Sequence, residues 1–113
     1  MHELSITQSM FDLVLEQANK AKAKKVEKIN MVIGEMTGIV GDSVQFYFDF
    51  LSKGTIAEEA ALSFSMVPPK VRCRNCSKTF KLKEFEWTCP YCHGESLEII
   101  AGQELYVESI EVE

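Results

Sequence analysis

Two C-x-x-C pairs constrain the folding of this 113-residue chain more than any other feature of its sequence. The pairs, Cys73-x-x-Cys76 and Cys89-x-x-Cys92, are separated by 12 residues. This spacing allows two short turns to present four thiolates at the corners of a tetrahedron, as in structural zinc sites. So short a segment needs a metal to hold it together, because it cannot bury a core of its own. We therefore predict that Cys73, Cys76, Cys89 and Cys92 bind a structural Zn²⁺.

Other uses of these cysteines stay open on the residues alone. Iron in a rubredoxin-like site would have the same four ligands. The segment from Cys89 to His93 also matches C-x-x-C-H, the pattern of covalent haem attachment, but haem would leave the first pair without a role. A thioredoxin-like redox pair fits one C-x-x-C, whereas two facing pairs favour a closed site without a reactive thiolate. We interpret His93 as a surface residue rather than as a ligand.

The residues before this module predict a helix, a strand, a second helix and a second strand. Apolar residues recur at helical spacing from Ile6 to Ala21, and Ser5 with Gln8 fits a capping box, which would leave residues 1–3 as a free lead-in. A buried strand is expected within residues 26–36, and alternation at 62–66 predicts another, which Pro68-Pro69 ends.

The second helix, which Asp42-Ser43 can cap, is rich in aromatic residues. One stripe consists of Val44, Tyr47, Phe48 and Leu51, and a second stripe consists of Phe46 and Phe50. We attribute this cluster to core packing between helix and sheet, which is far commoner than a cofactor site.

The last ten residues predict one more strand, with Leu105 and Val107 on one face and Tyr106, Ile110 and Val112 on the other. The cysteine module is too small to bury this strand, so it is expected to return to the first sheet. The expected fold is therefore α+β, with two helices on a roughly three-stranded sheet formed by residues 1–69 and 103–113. A zinc-ribbon-like module is inserted at residues 70–102.

Charge is distributed unevenly between these two parts. Residues 70–93 carry six Lys or Arg against two Glu, whereas the rest carries six basic and 15 acidic side chains. A basic zinc ribbon makes a nucleic-acid-binding or regulatory protein the alternative function. We favour protein docking and no nucleic-acid partner, since the whole chain has a net charge of −5.

The N-terminal region also bears on location. No apolar run approaches the roughly 18 residues of a membrane span, and Met1-His2-Glu3 lacks the positive charge and apolar stretch of a secretory signal. We therefore expect a cytoplasmic protein with no membrane association and with reduced or metal-bound cysteines.

The first residues offer a second set of metal donors. The amine of Met1, the backbone nitrogen of His2 and its imidazole can close adjacent chelate rings on one cation, and Glu3 can add a further donor. Such nitrogen donation suits Ni²⁺ or Cu²⁺ rather than zinc. On its own this signal is weak, because a histidine near a terminus is usually a solvated side chain.

Several segments together resemble one known family. They are Met1-His2-Glu3-Leu4-Ser5, Val32-Ile33-Gly34-Glu35-Met36, Gly54-Thr55-Ile56-Ala57-Glu58, the two C-x-x-C pairs and the ending from Glu104 to Val112. In this order they resemble the HypA/HybF family of hydrogenase maturation factors, which insert nickel. Two positions depart from the family pattern, because His93 and Glu59 stand where glycine is common.

The resemblance implies a nickel metallochaperone. It implies that Met1, His2 and Glu3 hold Ni²⁺ as transported cargo, while the four cysteines hold structural Zn²⁺. It further implies two partners, a nickel-handling GTPase and the large-subunit precursor of a NiFe-hydrogenase, and some family members also serve urease. We expect no enzyme activity, since no phosphate-binding glycine loop and no nucleophile with its base is recognisable.

Overall fold

The computed structural model describes residues 2–82 and 86–113 of the chain. Within these residues two helices, six strands and a short 3₁₀ turn are formed: α1 (Glu3–Lys20), β1 (Val26–Gly34), the turn Glu35–Thr37, α2 (Gly41–Leu51), β2 (Ala61–Val67), β3 (Lys70–Cys73), β4 (Thr79–Lys81), β5 (Leu97–Ala101) and β6 (Leu105–Val112). The strands form two sheets, ordered β2-β1-β6 and β4-β3-β5. The expected α+β class with two helices and a three-stranded sheet is confirmed.

Strand β1 is the centre of the first sheet. It pairs in parallel with β2 and antiparallel with β6, so the C-terminal strand returns to the first sheet as predicted. Both helices cover one face of this sheet and share a single core, whose buried residues are Met10, Phe11, Val14, Ala18, Val26, Ile29, Met31, Val44, Phe48, Ala57 and Ala60. The rings of Phe11 and Phe48 meet edge to face at 6.0 Å between centroids, which joins the two helices.

Helix α1 begins earlier than predicted. His2 is its N-cap residue and Glu3 its first helical residue, so the expected free lead-in is wrong for residues 2 and 3, and Met1 lies outside the described residues. The capping box is absent, because the Gln8 amide donates to Asp12 Oδ1 at 3.0 Å instead of turning back to the helix start. The hydroxyl of the buried Thr7 donates to the carbonyl oxygen of the half-buried Glu3 at 2.6 Å.

The aromatic residues of α2 do not all belong to the core. Phe48 is fully buried, but Phe46 and Phe50 are 70% and 71% exposed, so the prediction that both stripes pack inward is wrong. Only one face of α2 contacts α1 and the sheet, and the opposite face has no neighbouring element among the described residues. The helix starts after Val40 without a side-chain cap from Asp42 or Ser43.

A bulge in β6 corrects the predicted faces of the last strand. Ser109 pairs with Asn30 and Val107 pairs with Met31, so Glu108 is an extra residue on β6. An extra residue reverses the alternation of side chains. Ile110 therefore packs in the same core as Leu105 and Val107 rather than on the opposite face.

The two sheets are joined where two glycines meet. The Gly34 N–H donates to the carbonyl oxygen of Glu104 at 2.7 Å, and the Met36 N–H donates to that of Gly102 at 2.8 Å. A Cβ on Gly34 would overlap the carbonyl oxygen of Gly102 and lie 2.5 Å from the nitrogen of Gln103. The end of β1 is thus packed directly on the segment that connects β5 to β6. The division into two domains at residues 70 and 102 remains a proposal.

Neither helix of the described residues is long and apolar enough to cross a membrane.

Candidate metal centre

The four cysteines meet at one end of the second sheet. Their sulfur atoms all lie within 4.8 Å of one another, with 3.5 Å between Cys73 and Cys92 and 3.6 Å between Cys76 and Cys89. A tetrahedral zinc site with Zn–S bonds of about 2.3 Å has sulfur–sulfur separations of about 3.8 Å. The donor set and its spacing therefore fit Zn²⁺, and the four predicted ligands are brought together.

Each cysteine pair lies in a turn of the same form. The Ser77 N–H donates to the carbonyl oxygen of Cys73 at 2.8 Å, and the His93 N–H donates to that of Cys89 at 2.9 Å. Ser77 and His93, which directly follow the two pairs, have φ angles of 63° and 62°. This left-handed conformation turns the chain so that the next backbone N–H groups approach sulfur.

Backbone N–H groups shift the pKa values of the cysteine thiols. The N–H of Cys76 is the main cause that lowers the pKa of Cys73 to about 7, against desolvation, which raises it. The N–H of Gly94 lowers the pKa of Cys92, but the neighbouring thiols and burial outweigh it and raise this pKa to about 12. The four thiols are so close that ionisation of one disfavours ionisation of its neighbours. Fewer than four thiolates therefore form at the same time until a cation is bound. A divalent ion removes this competition by binding all four as thiolates.

Gly94 is a residue of this site that the sequence argument missed. A Cβ there would lie 2.5 Å from the side-chain nitrogen of Asn75 and 3.3 Å from the sulfur of Cys92. The carbonyl oxygen of Gly94 also accepts the Cys89 N–H at 2.8 Å, which closes the second turn. The position of Gly94 two residues after the last cysteine could have predicted this role, because the backbone there must approach the metal ligands closely.

The geometry separates the alternatives considered above. Cys89 and Cys92 lie with Cys73 and Cys76 in one cluster, which leaves no isolated pair for haem attachment or disulfide exchange, and all four are free thiols. His93 is exposed and does not belong to the cluster. An iron site with the same ligands is equally compatible with these distances, and zinc is favoured because two paired C-x-x-C turns are the usual ligand set of structural zinc.

The predicted nickel ligands lie at the start of α1. Met1 is outside the described residues. His2 is exposed, with an extended backbone, and its carbonyl oxygen accepts the Ile6 N–H at 3.2 Å. Glu3 is half-buried and opens the helix. Neither His2 nor Glu3 belongs to a group of three or more metal-ligating side chains in the described part of the chain.

Comparison with known proteins decides the family. The family model described as "Hydrogenase/urease nickel incorporation, metallochaperone, hypA" matches residues 1–112. The chain belongs to the HypA family. It is 48% identical over 114 residues to the hydrogenase maturation factor HypA of Caldanaerobacter subterraneus subsp. tengcongensis, with both chains fully covered. It is 49% identical over 113 residues to that of Dehalococcoides mccartyi strain CBDB1, covering all of this chain and 95% of the relative.

Solved HypA structures have the same fold. A structure titled "Solution structure of HypA protein" aligns with a TM-score of 0.76 at 27% identity, covering 99% of this chain and 96% of the other. The Ni metallochaperone HypA from Helicobacter pylori aligns with a TM-score of 0.68, also at 27% identity, covering 99% and 97%. The family model and these relatives are thus described as metallochaperones or maturation factors, and the four-cysteine cluster indicates structural zinc in this protein.

The two departures from the HypA pattern occupy strained backbone. His93 has a φ of 62° and Glu59 a φ of 67°, both in the left-handed region that glycine adopts most easily. The turns are nevertheless formed with these residues. With these two residues in place, the four sulfur atoms still lie within 4.8 Å of one another.

Proposed function

We propose that this protein is a cytoplasmic nickel metallochaperone that binds one Ni²⁺ through Met1, His2 and Glu3 and delivers it to the large-subunit precursor of a NiFe-hydrogenase. The observation that carries the proposal is the match of the HypA family over residues 1–112, which includes the Met-His-Glu start. Urease, the second enzyme in the family description, is a further client to test.

The local structure at the start of α1 supports nitrogen donation. The first backbone N–H groups of a helix have no acceptor within the helix. The nitrogens of His2 and Glu3 can therefore lose their protons to a metal without the loss of a helical hydrogen bond. The exposed imidazole of His2 makes no capping bond within the described residues, so it is available as a further ligand.

Charge at this position favours the same coordination. The N-terminal end of a helix carries a partial positive charge of about half an electron, which opposes an added cation. Two deprotonated backbone nitrogens would neutralise the charge of Ni²⁺, and the Glu3 carboxylate would add a negative charge at the helix start. A planar complex of this kind is therefore compatible with the helix terminus, whereas a hydrated dication is repelled.

The zinc site has a structural role in this proposal. Four thiolates fill the coordination sphere of zinc, so no open position remains for substrate or for nickel. The protein itself carries no catalytic step. A separate nickel-handling GTPase supplies any nucleotide hydrolysis, and the protein passes nickel within that complex.

The experiment that tests the nickel site uses the only two histidines of the sequence as a matched pair. Metal analysis and calorimetry are carried out on untagged, zinc-loaded His2→Ala and His93→Ala proteins. Tight nickel binding should be lost in His2→Ala and kept in His93→Ala, with zinc stoichiometry unchanged in both. Unchanged nickel affinity in His2→Ala would refute the N-terminal site.

A second pair of variants tests the amine of Met1. One added residue before Met1 converts the amine to an amide and alters the chelate rings, while one added residue after Glu113 does not. The first protein should fold, keep zinc and lose or change its nickel absorption spectrum. The terminal amine and the backbone nitrogens must lose protons to bind the metal, so apparent nickel affinity should rise with pH. Identical spectra from the two extended proteins would place the nickel elsewhere.

A further inference from the structure

An apolar groove runs between α1 and the edge of the first sheet. Its first part has a volume of about 250 Å³, and the residues that line it are Ser5, Ile6, Ser9, Met10, Leu13, Met31, Leu105, Tyr106 and Val107. A second part shares Leu13 and Val107 and continues to Gln17 and Ile110. The groove therefore follows α1 for about 18 Å and β6 for about 17 Å, at the usual rise per residue.

The groove reaches the open edge of the sheet. Strand β6 pairs with β1 only, so its other edge has no strand beside it within the described residues. Consecutive residues from Leu105 to Val107 line the groove although their side chains alternate between faces. The strand edge itself, with its outward N–H and C=O groups, therefore forms one wall.

These two features together fit an extended chain. A strand that pairs with β6 would satisfy the open backbone groups and place alternate side chains in the apolar groove, the mode of recognition called β-augmentation. At about 3.3 Å per residue, the length of the groove accommodates five or six residues. A helix would fill the groove but leave the strand edge unpaired.

The charged residues along the groove indicate which kind of segment it would bind. Glu108, the bulged residue, is the one charged side chain that lines either part of the groove in the described chain. Strand β6 and its flanks also carry Glu104, Glu111 and Glu113. Pairing of β6 with β6 of a second copy would bring like charges together. A strand with basic residues meets opposite charge instead.

We propose that this groove binds an extended, apolar segment with a basic residue from a partner protein, which adds as a strand to β6. The groove starts at Ser5, two residues after Glu3, so the bound segment lies beside the start of α1. The proposal does not depend on nickel, and peptide binding is expected in its absence.

The test titrates zinc-loaded, isotope-labelled protein with defined peptides, followed by the backbone amide signals. The probe is a blocked peptide of about eight residues that alternates valine and threonine around one central lysine. One comparison peptide has glutamate in place of lysine, and another has N-methyl groups on alternate amides. Saturable shifts should map to residues 105–110 and to the facing side of α1, and the lysine peptide should bind about two to five times tighter than the glutamate peptide.

Variants with matched controls sharpen this result. Leu13 and Leu4 lie on the same helix and are 45% and 46% exposed, but only Leu13 lines the groove. Leu13→Asn should weaken the lysine peptide by about tenfold, since an apolar wall residue becomes polar without adding charge, and Leu4→Asn should not. Glu108→Gln should remove the preference for lysine over glutamate.

Several results would overturn the proposal. They are equal binding of the N-methylated peptide, equal effects of Leu13→Asn and Leu4→Asn, shifts that map to Phe46 and Phe50, and absence of saturable binding at millimolar peptide. Concentration-dependent self-association through residues 105–110, in the absence of peptide, would make a second copy the occupant and would equally refute the partner proposal.

Discussion

Replacing Gly34 by alanine should test whether the contact between the two sheets stabilises the protein. The added Cβ would overlap the carbonyl oxygen of Gly102 and lie 2.5 Å from the nitrogen of Gln103, and both are backbone atoms that cannot rotate away. The segment around Gly102 must therefore move. Two hydrogen bonds depend on its position, from Gly34 N–H to Glu104 at 2.7 Å and from Met36 N–H to Gly102 at 2.8 Å.

The expected cost follows from these contacts. Each backbone hydrogen bond contributes about 1 kcal/mol net, and overpacking adds about 1 to 3 kcal/mol. The lower entropy of the unfolded alanine chain offsets about 0.5 kcal/mol. We expect Gly34→Ala to lower the free energy of unfolding by about 3 kcal/mol, measured by urea denaturation of the zinc-loaded protein.

Gly54 provides the control for this variant. A Cβ there would meet no atom within 4 Å, so Gly54→Ala introduces only the strain of a residue at φ 78°, about 1 kcal/mol. Residual dipolar couplings would report whether the relative orientation of the sheets changes in Gly34→Ala. Equal destabilisation by the two variants, with unchanged couplings, would refute the argument that the close approach of Gly34 and Gly102 fixes the junction.

Three further predictions concern the site and the core. Cys76→Ser should release zinc and remove amide protection from residues 70–101 while β1 stays protected, because the metal replaces a core only in that module; uniform loss of protection would show one cooperative unit. Phe48→Ala should cost about 3 to 5 kcal/mol in chemical denaturation and Phe50→Ala less than about 0.5 kcal/mol, since only Phe48 is buried; similar costs would contradict the burial difference. Glu59→Gly should raise the melting temperature, because relief of the φ of 67°, about 1 kcal/mol, exceeds the roughly 0.5 kcal/mol lost to the higher entropy of the unfolded glycine chain; a lower melting temperature would contradict the strain at Glu59.

The zinc site was predictable because its information is local. Each pair of cysteines sets its own turn, and only four thiolates at this spacing are needed to specify a tetrahedral site. The return of β6 was predictable for a different reason, since a module of this size cannot cover an additional strand. Both inferences rest on counting and spacing, which do not require knowledge of the neighbouring side chains.

The errors arose where two local patterns competed. Ser5 and Gln8 have the spacing of a capping box, but Gln8 also lies four residues before Asp12 and bonds to it. The helix extends to Glu3, whose carbonyl oxygen accepts the hydroxyl of the buried Thr7. Sequence spacing cannot rank these alternatives, because the burial of Thr7 depends on the packing of α1 against the rest of the domain.

The exposed face of α2 and the groove beside β6 have the same cause, because a sheet of three strands with two helices cannot cover all of its apolar surface. The sheet and α1 can bury only one face of α2, so Phe48 is buried while Phe46 and Phe50 are exposed. Helix α1 lies against α2, which leaves the β6 edge uncovered. The bulge at Glu108 then returns Ile110 to the core and keeps a carboxylate at the open edge. Strand alternation in the sequence predicts none of this, because a bulge shifts the alternation by one residue without a change in composition. An edge that is apolar in its groove and acidic along its strand opposes pairing with itself and remains open to a basic strand.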